Sequence, residues 1–436
     1  MASENTNREK TVKVDYLTRV EGEGGVYVRS VGGELREVKI NIFEPPRFFE
    51  AFLRGRSFQE VPDITARICG ICPVAYQMSA VHALEAALEV TPPPEIRALR
   101  RLLYCGEWIE SHALHIYMLN APDFLGYESV VAMAADHPQE VERALRLKKI
   151  GNRLLAILGG RSVHPVSVCV GGFYKVPLRK ELETLAADLR WAIEASKETL
   201  AFVRGLPFPN YTPDYEFVSV SHPGEYPMNE RRIVSSKGVD IEPEEFERVY
   251  IEEHIEHSTA LHSSRVDSGA SYFVGPLARI NLNLDKLMPQ ALEAARTCGV
   301  SWPCSNPYMG IIARAIELIH ACEEAVAIID AYREPASSRV EFKVHAGEGC
   351  AATEAPRGLL YHRYRIDGRG LVEFSRIVPP TAQNYHRMED DLKAILPGVL
   401  DQSEAEIAQV CEKLIRTYDP CISCSTHFVN LRLERS

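Results

Sequence analysis

Two Cys-x-x-Cys motifs lie almost at opposite ends of this 436-residue chain, and they constrain its fold more than any other feature. Cys69 and Cys72 form the first pair, and Cys421 and Cys424 form the second. Two intervening residues allow both sulfurs of a pair to face one metal ion. Four thiolates suit soft transition metals and disfavour magnesium or calcium. If both pairs bind one centre, the fold must bring the two ends of the chain together around it.

The composition is that of an ordinary soluble globular protein, with 46% hydrophobic and 25% charged residues. The net charge of −11 and the absence of a basic run argue against nucleic acid as a partner. Eleven cysteines without a small-scaffold spacing indicate thiols or metal ligands in a reducing compartment. No apolar run reaches transmembrane length, and the N-terminus lacks the apolar region of a secretory signal. We therefore predict a cytoplasmic protein without a membrane span.

The hydrophobic pattern predicts an α+β fold that is predominantly helical. Residues 11–45 alternate between apolar and polar, which indicates a small N-terminal antiparallel sheet. Helical periodicity begins at Val74–Val90 and continues in a longer helix, Glu95–Leu119. Further helices are predicted at 139–158, 179–204, 244–264, 308–331 and 403–417, with strands and loops at 160–176 and 338–378 and a surface insertion at 205–243. Because the cysteine pairs flank everything else, we expect one central bundle of long helices with peripheral β segments.

Each cysteine pair, taken alone, is also typical of a structural zinc knuckle or a redox dithiol. A thioredoxin-like dithiol needs strand–helix–strand flanks, and residues 46–65 contain no clear strand. Zinc ribbons usually place both pairs within a few tens of residues, whereas here almost the whole chain separates them. The residues around the two pairs are therefore needed to distinguish a zinc site or a redox dithiol from a shared metal centre.

Five motifs surround the cysteines and follow one another from about residue 11 onward. They are Arg19–Gly22 (RVEG), Arg67–Cys72 (RICGIC), Glu354–Gly358 (EAPRG), Pro379–Asn384 (PPTAQN) and Asp419–His427 (DPCISCSTH). This order of motifs resembles the large, catalytic subunit of nickel–iron hydrogenases. The chain is most similar to the cytoplasmic, cofactor-coupled type, which is NAD(P)-linked or sulfhydrogenase-like. The resemblance implies the corresponding large-subunit fold, as one domain over residues 1–427.

The resemblance implies a nickel–iron centre on the four cysteines. Cys69 and Cys421 would be terminal ligands of nickel, and Cys72 and Cys424 would bridge nickel to an iron that carries two cyanides and one carbon monoxide. The implied reaction is the reversible heterolytic cleavage of H2 into protons and electrons. The chain has no further cysteine cluster for an iron–sulfur centre. Electrons are therefore expected to pass to an iron–sulfur small subunit, and from there through a flavin-containing diaphorase module to NAD(P).

Glu21 matches the family's proton-gate position. A carboxylate near the sulfur of Cys421 can accept a proton and pass it outward. The alternative is a surface glutamate in a glycine-rich turn, which is the usual place for this residue type. Glu23 is the neighbouring competitor for the same role.

Arg357 matches an arginine held over the metals, where its guanidinium could hydrogen-bond a cyanide. Its alternative is an ordinary surface arginine. Pro356 has no N–H and would help to keep the pocket dry. Thr381 is a candidate for a hydroxyl contact to the other cyanide. Asp419 is expected to orient Arg357 or the second cysteine loop, or else simply to cap a turn.

Glu50 and His427 match a second metal site in the family, usually occupied by magnesium. Oxygen ligands and water suit magnesium, whereas a histidine ligand leaves iron or zinc open. For Glu50 the alternative is a salt-bridged helix residue. The resemblance also implies that a maturation endopeptidase cuts after His427 and removes residues 428–436.

One position departs from the family pattern. Tyr76 stands four residues after Cys72, where many members have a histidine. A phenol can donate a hydrogen bond toward a bridging thiolate, but it is not an acid–base group at neutral pH.

Two other classes of protein remain as alternatives. One is a nickel-free scaffold protein like the quinone-site subunit of respiratory complex I, and the other is a zinc-stapled interaction protein. Elemental analysis separates the three, because they contain nickel with iron, neither metal, or zinc alone.

Overall fold

The N-terminal part of the chain forms the predicted antiparallel sheet. A computed structural model describes residues 9–426, and within it the strands β1 (Glu9–Val14), β2 (Gly24–Val31) and β3 (Glu34–Ile42) pair in the order β1-β2-β3. Along β2, buried and partly exposed side chains alternate, as expected for a sheet with one face on the core. The predicted sheet is confirmed.

Long helices form the centre of the molecule. The α-helices are α1 (Phe49–Leu53), α2 (Val61–Thr65), α3 (Pro73–Ala87), α4 (Pro94–Leu114), α5 (Ala121–Leu125), α6 (Val130–Met133), α7 (Pro138–Gly159), α8 (Arg179–Glu183), α9 (Ala186–Arg204), α10 (Phe246–Val249), α11 (Pro276–Asn283), α12 (Pro289–Thr297), α13 (Gly310–Ala331), α14 (Pro380–Ile395), α15 (Glu404–Tyr418) and α16 (Ile422–Ser425). Helix α4 continues into a π-helical segment, His115–Asn120. Single turns of 3-10 helix are Ala66–Ile68, Pro243–Glu245, Leu284–Lys286, Pro307–Met309 and Leu396–Gly398.

Helices α4, α7, α9 and α13 pack against one another as the bundle. Proline in the first turn of α3, α4 and α7 sets where each helix begins, because it is pre-formed for a helix and lacks an N–H that would be unpaired there. Glycine lets α4 and α7 approach closely. A Cβ on Gly151 would lie 2.6 Å from the carbonyl oxygen of Gly106.

The remaining strands form small sheets around the bundle. They are β4 (Val168–Cys169), β5 (Gly172–Phe173), β6 (Phe217–Ser221), β7 (Arg232–Ser235), β8 (Asp240–Ile241), β9 (Tyr250–His254), β10 (Leu261–Arg265), β11 (Phe273–Val274), β12 (Gly347–Ala355), β13 (Gly358–Ile366) and β14 (Val372–Val378). Strands β12, β13 and β14 form an antiparallel meander, and β11-β6-β7-β8 form a sheet in which β11 runs parallel to β6. Strands β9 and β10 pair as an antiparallel hairpin.

Several segments differ from the prediction. Residues 244–264 form a short 3-10 turn, the four-residue α10 and the β9–β10 hairpin instead of one helix, because a short apolar run fits either period. Residues 205–243 are not a surface insertion, since β6 and β7 bury Val218, Val220 and Ile233 in a core cluster of their own. Helices α11, α12 and α14 were not predicted as helices.

The main apolar core runs from Val12 to Cys424 in one continuous cluster, so both ends of the described chain contribute to it. Glu21 and Cys421 are joined by a parallel β-bridge across that distance. Within residues 9–426, no helix is both long and apolar enough to cross a bilayer. The predicted single domain, 1–427, and the removal of 428–436 stay predictions, and His427 with its tail lies outside the described residues.

Candidate metal centre

The four paired cysteines meet in the interior. The sulfur atoms of Cys69, Cys72, Cys421 and Cys424 all lie within 4.8 Å of one another, and all four residues are buried. The sulfurs of Cys69 and Cys421 are 3.4 Å apart, although 352 positions separate the residues in the sequence. None of the four forms a disulfide bond. The predicted meeting of the two pairs is therefore present in the structure.

The first pair is supported by helix packing. Cys72 is the N-cap of α3, and its N–H donates to the sulfur of Cys69 at 3.3 Å. The carboxylate of Glu107, on α4, accepts the N–H of Val74 at 2.6 Å and that of Ala75 at 3.2 Å. These N–H groups belong to the first turn of α3, where a helix has no internal acceptor for them. Glu107 therefore caps the helix that presents Cys72.

The second pair lies on a short segment held by distant residues. Helix α15 ends at Asp419 in a left-handed conformation (φ 56°), and the chain then turns into the four-residue α16. The N–H of Cys421 donates to the hydroxyl of Thr381 at 2.9 Å. The N–H of Ile422 donates to the carbonyl of Glu21 at 2.8 Å. Three separate parts of the chain thus fix these thiols.

Glu21 lies against the second pair. The thiol of Cys421 donates to its Oε2 at 3.0 Å, and the N–H of Ser423 donates to the same oxygen at 3.1 Å. Burial, followed by the charge of Cys69, raises the pKa of Glu21 above its usual value. Glu23 is exposed, so of the two candidates only Glu21 contacts a sulfur.

Gly22 permits this approach. Its φ is +92°, which favours glycine, and a Cβ there would lie 2.6 Å from the Cβ of Ile422 and 2.9 Å from the nitrogen of Ser423. A larger residue at position 22 would therefore push the segment with Ser423 away from Glu21.

Arg357 lies in the turn between β12 and β13 and is buried. Its Nε donates to the carbonyl of Asp419 at 2.8 Å, and its Nη2 donates to the carboxylate at 2.9 Å. Burial opposes the charge on Arg357, but Asp419 and the nearby thiols more than offset this and raise its pKa well above the usual range. Nη1 is buried and has no hydrogen-bond partner among the described residues. Asp419 thus holds two of the three guanidinium nitrogens of Arg357 in place.

A buried ionic network lies behind Arg357. The carbonyl of Pro356 accepts from Arg279 at 3.1 Å and from Arg314 at 3.3 Å. Arg279 also pairs with Glu317 at 2.7 Å and with Glu354 at 2.9 Å. The network holds the turn that carries Arg357, and no sequence motif predicted it. Its signal was a charged residue flanked on both sides by apolar ones, as at Arg279 in α11 and at Arg314 and Glu317 in α13.

Tyr76 lies fully buried on α3, with its ring 5.8 Å from that of His362. Burial, followed by the charge of Cys424, raises the pKa of its phenol well above the usual value. The phenol is therefore neutral, and its predicted hydrogen bond to a bridging thiolate stays a prediction.

Glu50 lies on α1, away from the thiols. One carboxylate oxygen accepts the N–H of Ile377 at 2.7 Å, and burial raises the pKa of Glu50 to about 7. Glu252 is buried nearby and pairs with Arg376 at 3.3 Å. Burial raises the pKa of Glu252 to about 8, and the negative charge of Glu50 adds to this rise. The other predicted ligand, His427, lies outside the described residues.

The donor set fits a soft metal. Burial strongly raises the pKa of Cys421, and four crowded thiols cannot all ionise without a cation among them. A bound metal ion supplies that charge, because thiolates are the form that binds metal. The unpartnered N–H of Arg357 leaves one donor for a further acceptor at the centre.

Comparison with known proteins agrees with this chemistry. A family model described as nickel-dependent hydrogenase matches residues 47–143 and 262–427. The alpha chain of sulfhydrogenase 1 from Pyrococcus furiosus is 35% identical over 425 residues, covering 96% of this chain and 98% of the relative. The alpha chain of sulfhydrogenase 2 from the same organism is 33% identical over 423 residues, covering 96% and 100%. A crystal structure of an NAD+-reducing NiFe hydrogenase in the H2-reduced state superimposes with a TM-score of 0.87 at 28% identity, covering 96% of this chain and 99% of that chain.

Proposed function

The chain belongs to the nickel-dependent hydrogenase family, and we therefore propose that it is the catalytic large subunit of a nickel–iron hydrogenase, which reversibly cleaves H2 into protons and electrons. The observation that carries the proposal is the buried set of four thiols within 4.8 Å of one another. Cys69, Cys72, Cys421 and Cys424 would hold nickel, with Cys72 and Cys424 shared with an iron that carries two cyanides and one carbon monoxide. When bound, such a centre polarises H2 and takes up its electrons.

Glu21 is the proposed proton acceptor. Its carboxylate already accepts a hydrogen bond from the thiol of Cys421 at 3.0 Å, which is the distance a direct proton transfer requires. Burial raises the pKa of this carboxyl toward neutral pH, so that the group can both accept and release a proton. The main-chain N–H of Ser423 holds the acceptor oxygen in place.

Arg357 is proposed to bind a polar ligand of the iron and to keep the region above the thiols positive. Asp419 supports this role by fixing two of the guanidinium nitrogens and leaving Nη1 free of protein partners among the described residues. Pro356 would line the pocket without adding a hydrogen-bond donor, because proline has no N–H. The Thr381 hydroxyl accepts the N–H of Cys421, which leaves its own hydrogen for a cyanide.

A second metal, magnesium or iron, is proposed at Glu50, with His427 as a further ligand. The buried carboxylate of Glu252 close to Glu50 supports a cation there, because two buried carboxylates repel one another without one. Endoproteolytic removal of residues 428–436 after His427 is part of the same proposal.

An iron–sulfur small subunit is the proposed electron acceptor. Apart from the quartet, the described residues contain no group of three or more cysteines arranged to hold a metal. The relatives include the alpha chain of a sulfhydrogenase and a large chain of an NAD+-reducing enzyme. These support a flavin-containing diaphorase module that delivers electrons to NAD(P) in the cytoplasm.

Infrared spectroscopy of the mature complex, combined with elemental analysis, tests the proposal. We expect bands from carbon monoxide and cyanide, together with nickel and iron. Protein that lacks these bands and contains zinc alone would instead be a zinc-stapled scaffold. Protein with neither nickel nor zinc would fit a complex-I-like scaffold.

Glu21→Gln tests the proton route. The variant keeps the shape of the side chain but cannot take up a proton, so H2/D2O exchange should fall by about 100-fold or more while the infrared bands remain. The exposed Glu23→Gln is the matched control and should exchange like the unmodified enzyme. Full exchange in Glu21→Gln would exclude this carboxylate as the acceptor.

A further inference from the structure

A second group of metal-ligand side chains lies apart from the thiols. His257 is in the loop that joins β9 to β10, His262 is on β10, and Glu389 is on α14. Their ligand atoms all lie within 4.8 Å of one another. The Glu389 and His262 residues are buried, and the side chain of His257 is 18% exposed. Three separate elements thus bring two imidazoles and one carboxylate together at the edge of the interior.

The carboxylate in this group is held in place by its neighbours. One oxygen of Glu389 accepts the main-chain N–H of Ile40, on the edge strand β3, at 2.9 Å. The same oxygen lies 2.9 Å from Nε2 of His257. Tyr385, one turn earlier on α14, stacks on His262 with ring centroids 5.3 Å apart. Packing therefore fixes both Glu389 and the plane of the His262 ring.

His262 is the member of the group whose buried ring nitrogens have no hydrogen-bond partner among the described residues. The residue is only 3% exposed. Leaving a buried donor unpaired is unfavourable, so a buried histidine normally bonds at least one nitrogen. Burial lowers its pKa to about 3, which keeps the ring neutral, the form that binds metal. A metal ion that takes the lone pair of one ring nitrogen would give this buried ring a partner.

The group is open to solvent on the side of His257. This residue lines two adjoining surface cavities of about 680 and 750 Å³, and Asn41 and Phe43 line both with it. Either cavity has room for an entering ion and for water molecules to complete its coordination.

We propose that His257, His262 and Glu389 bind a divalent transition-metal ion, with Zn²⁺ as the occupant. Two histidines and one carboxylate form a known zinc donor set, in which water takes the fourth position. The ion would take the place of the proton shared by His257 and Glu389. This site uses none of the four cysteines.

The position of the site indicates a structural role. Helix α14 also carries Thr381, which accepts the N–H of Cys421, and Tyr385, whose hydroxyl lies 3.1 Å from that of Ser425. An ion on Glu389 would link this helix to the β9–β10 loop and, through the N–H of Ile40, to β3. It would thereby brace the helix that supports the second cysteine pair.

Titration of the mature complex with Co²⁺ and Zn²⁺ tests the site. Loosely held ions are first removed by chelation, and the filled nickel–iron centre keeps the four thiols occupied. We expect one additional Co²⁺ per chain, with the visible bands of a nitrogen and oxygen donor set and without a thiolate charge-transfer band. Zn²⁺ should displace it and raise the melting temperature.

Variants identify the ligands. His262→Ala and Glu389→Gln should each weaken Co²⁺ binding by more than about 100-fold, because they remove a ligand and not merely a supporting group. His386→Ala is the control, since His386 lies on the same helix as Glu389 but outside the group, and should bind normally. Absence of the additional ion, or an equal loss in all three variants, would overturn the proposal. Nickel content and infrared bands, read on the same samples, test the hydrogenase assignment separately.

Discussion

The two cysteine pairs occupy very different surroundings. The first pair ends in Cys72 at the start of α3, a 15-residue helix that is buried on nearly all sides and capped by Glu107. The second pair lies on the four-residue α16 and is held by hydrogen bonds to residues far away in the sequence, from Ile422 and Ser423 to Glu21 and from Cys421 to Thr381. Helix packing alone therefore builds the first half of the centre. The second half depends on the docking of a short segment near the end of the chain.

This difference suggests an order of assembly. The first pair can take its final shape as soon as α3 and α4 pack. The second pair needs strand-like pairing to Glu21 and contact with α14, both far away in the sequence.

The largest expected effect comes from removing one thiol on either side. Cys69→Ser and Cys421→Ser should each lose nickel and hydrogenase activity, because each leaves only three of the four thiolates. Elemental analysis measures nickel, and circular dichroism shows whether the fold persists. Cys411→Ala, a buried cysteine outside the quartet, should retain nickel. Full nickel in Cys421→Ser would mean that the second pair is not part of the site.

A smaller effect is expected for Glu107→Ala, which strikes only the first pair. Two buried N–H groups would lose their acceptor, which should lower the free energy of unfolding by about 2–4 kcal/mol. Thermal unfolding of the mature complex measures the loss, and Glu107→Gln should recover part of it. Glu95→Ala, at the exposed start of α4, should cost less than about 1 kcal/mol. Equal effects at both positions would show that the cap does not support α3.

The smallest effect is expected for Thr381→Ala, which strikes only the second pair. The buried N–H of Cys421 would lose its acceptor, at a local cost of about 1–2 kcal/mol. Hydrogen exchange over residues 419–426 should then quicken by roughly tenfold, while exchange in α3 stays unchanged. Thr381→Ser keeps the hydroxyl and should exchange slowly. Faster exchange in both segments would mean that the two halves are not independent.

Much of the site was readable from motifs, because each places particular atoms next to a cysteine. Glu21 contacts the thiol of Cys421, and Asp419 pairs with Arg357 two residues before that cysteine. Only the structure distinguishes Glu21 from Glu23, because both lie in the same glycine-rich turn of the sequence. The catalytic roles of Glu21, Arg357 and Asp419 stay predictions. Glu107 was missed because it belongs to no motif and acts across the packing of two helices. Its signal in the sequence was a carboxylate among the apolar residues around Trp108 in α4, where a charged side chain is unusual.

The less regular parts of the fold were harder to predict. Residues 244–264 were expected to be helical because short apolar runs fit a helix or a strand equally well, and only pairing partners decide between them. That error concealed His257 and His262, which come together across the β9–β10 hairpin and not along a helix face.

The sequence by itself determined the chemistry of this protein, since four paired cysteines with their flanking motifs specify a soft-metal centre and the family that uses it. Only the tertiary structure decided which atoms meet there. It set Cys69 within 3.4 Å of Cys421, left one nitrogen of Arg357 without a protein partner among the described residues, and gathered His257, His262 and Glu389 beside α14. The physical reason is that ligand type depends on local residues, whereas these distances depend on the packing of segments that lie far apart along the chain.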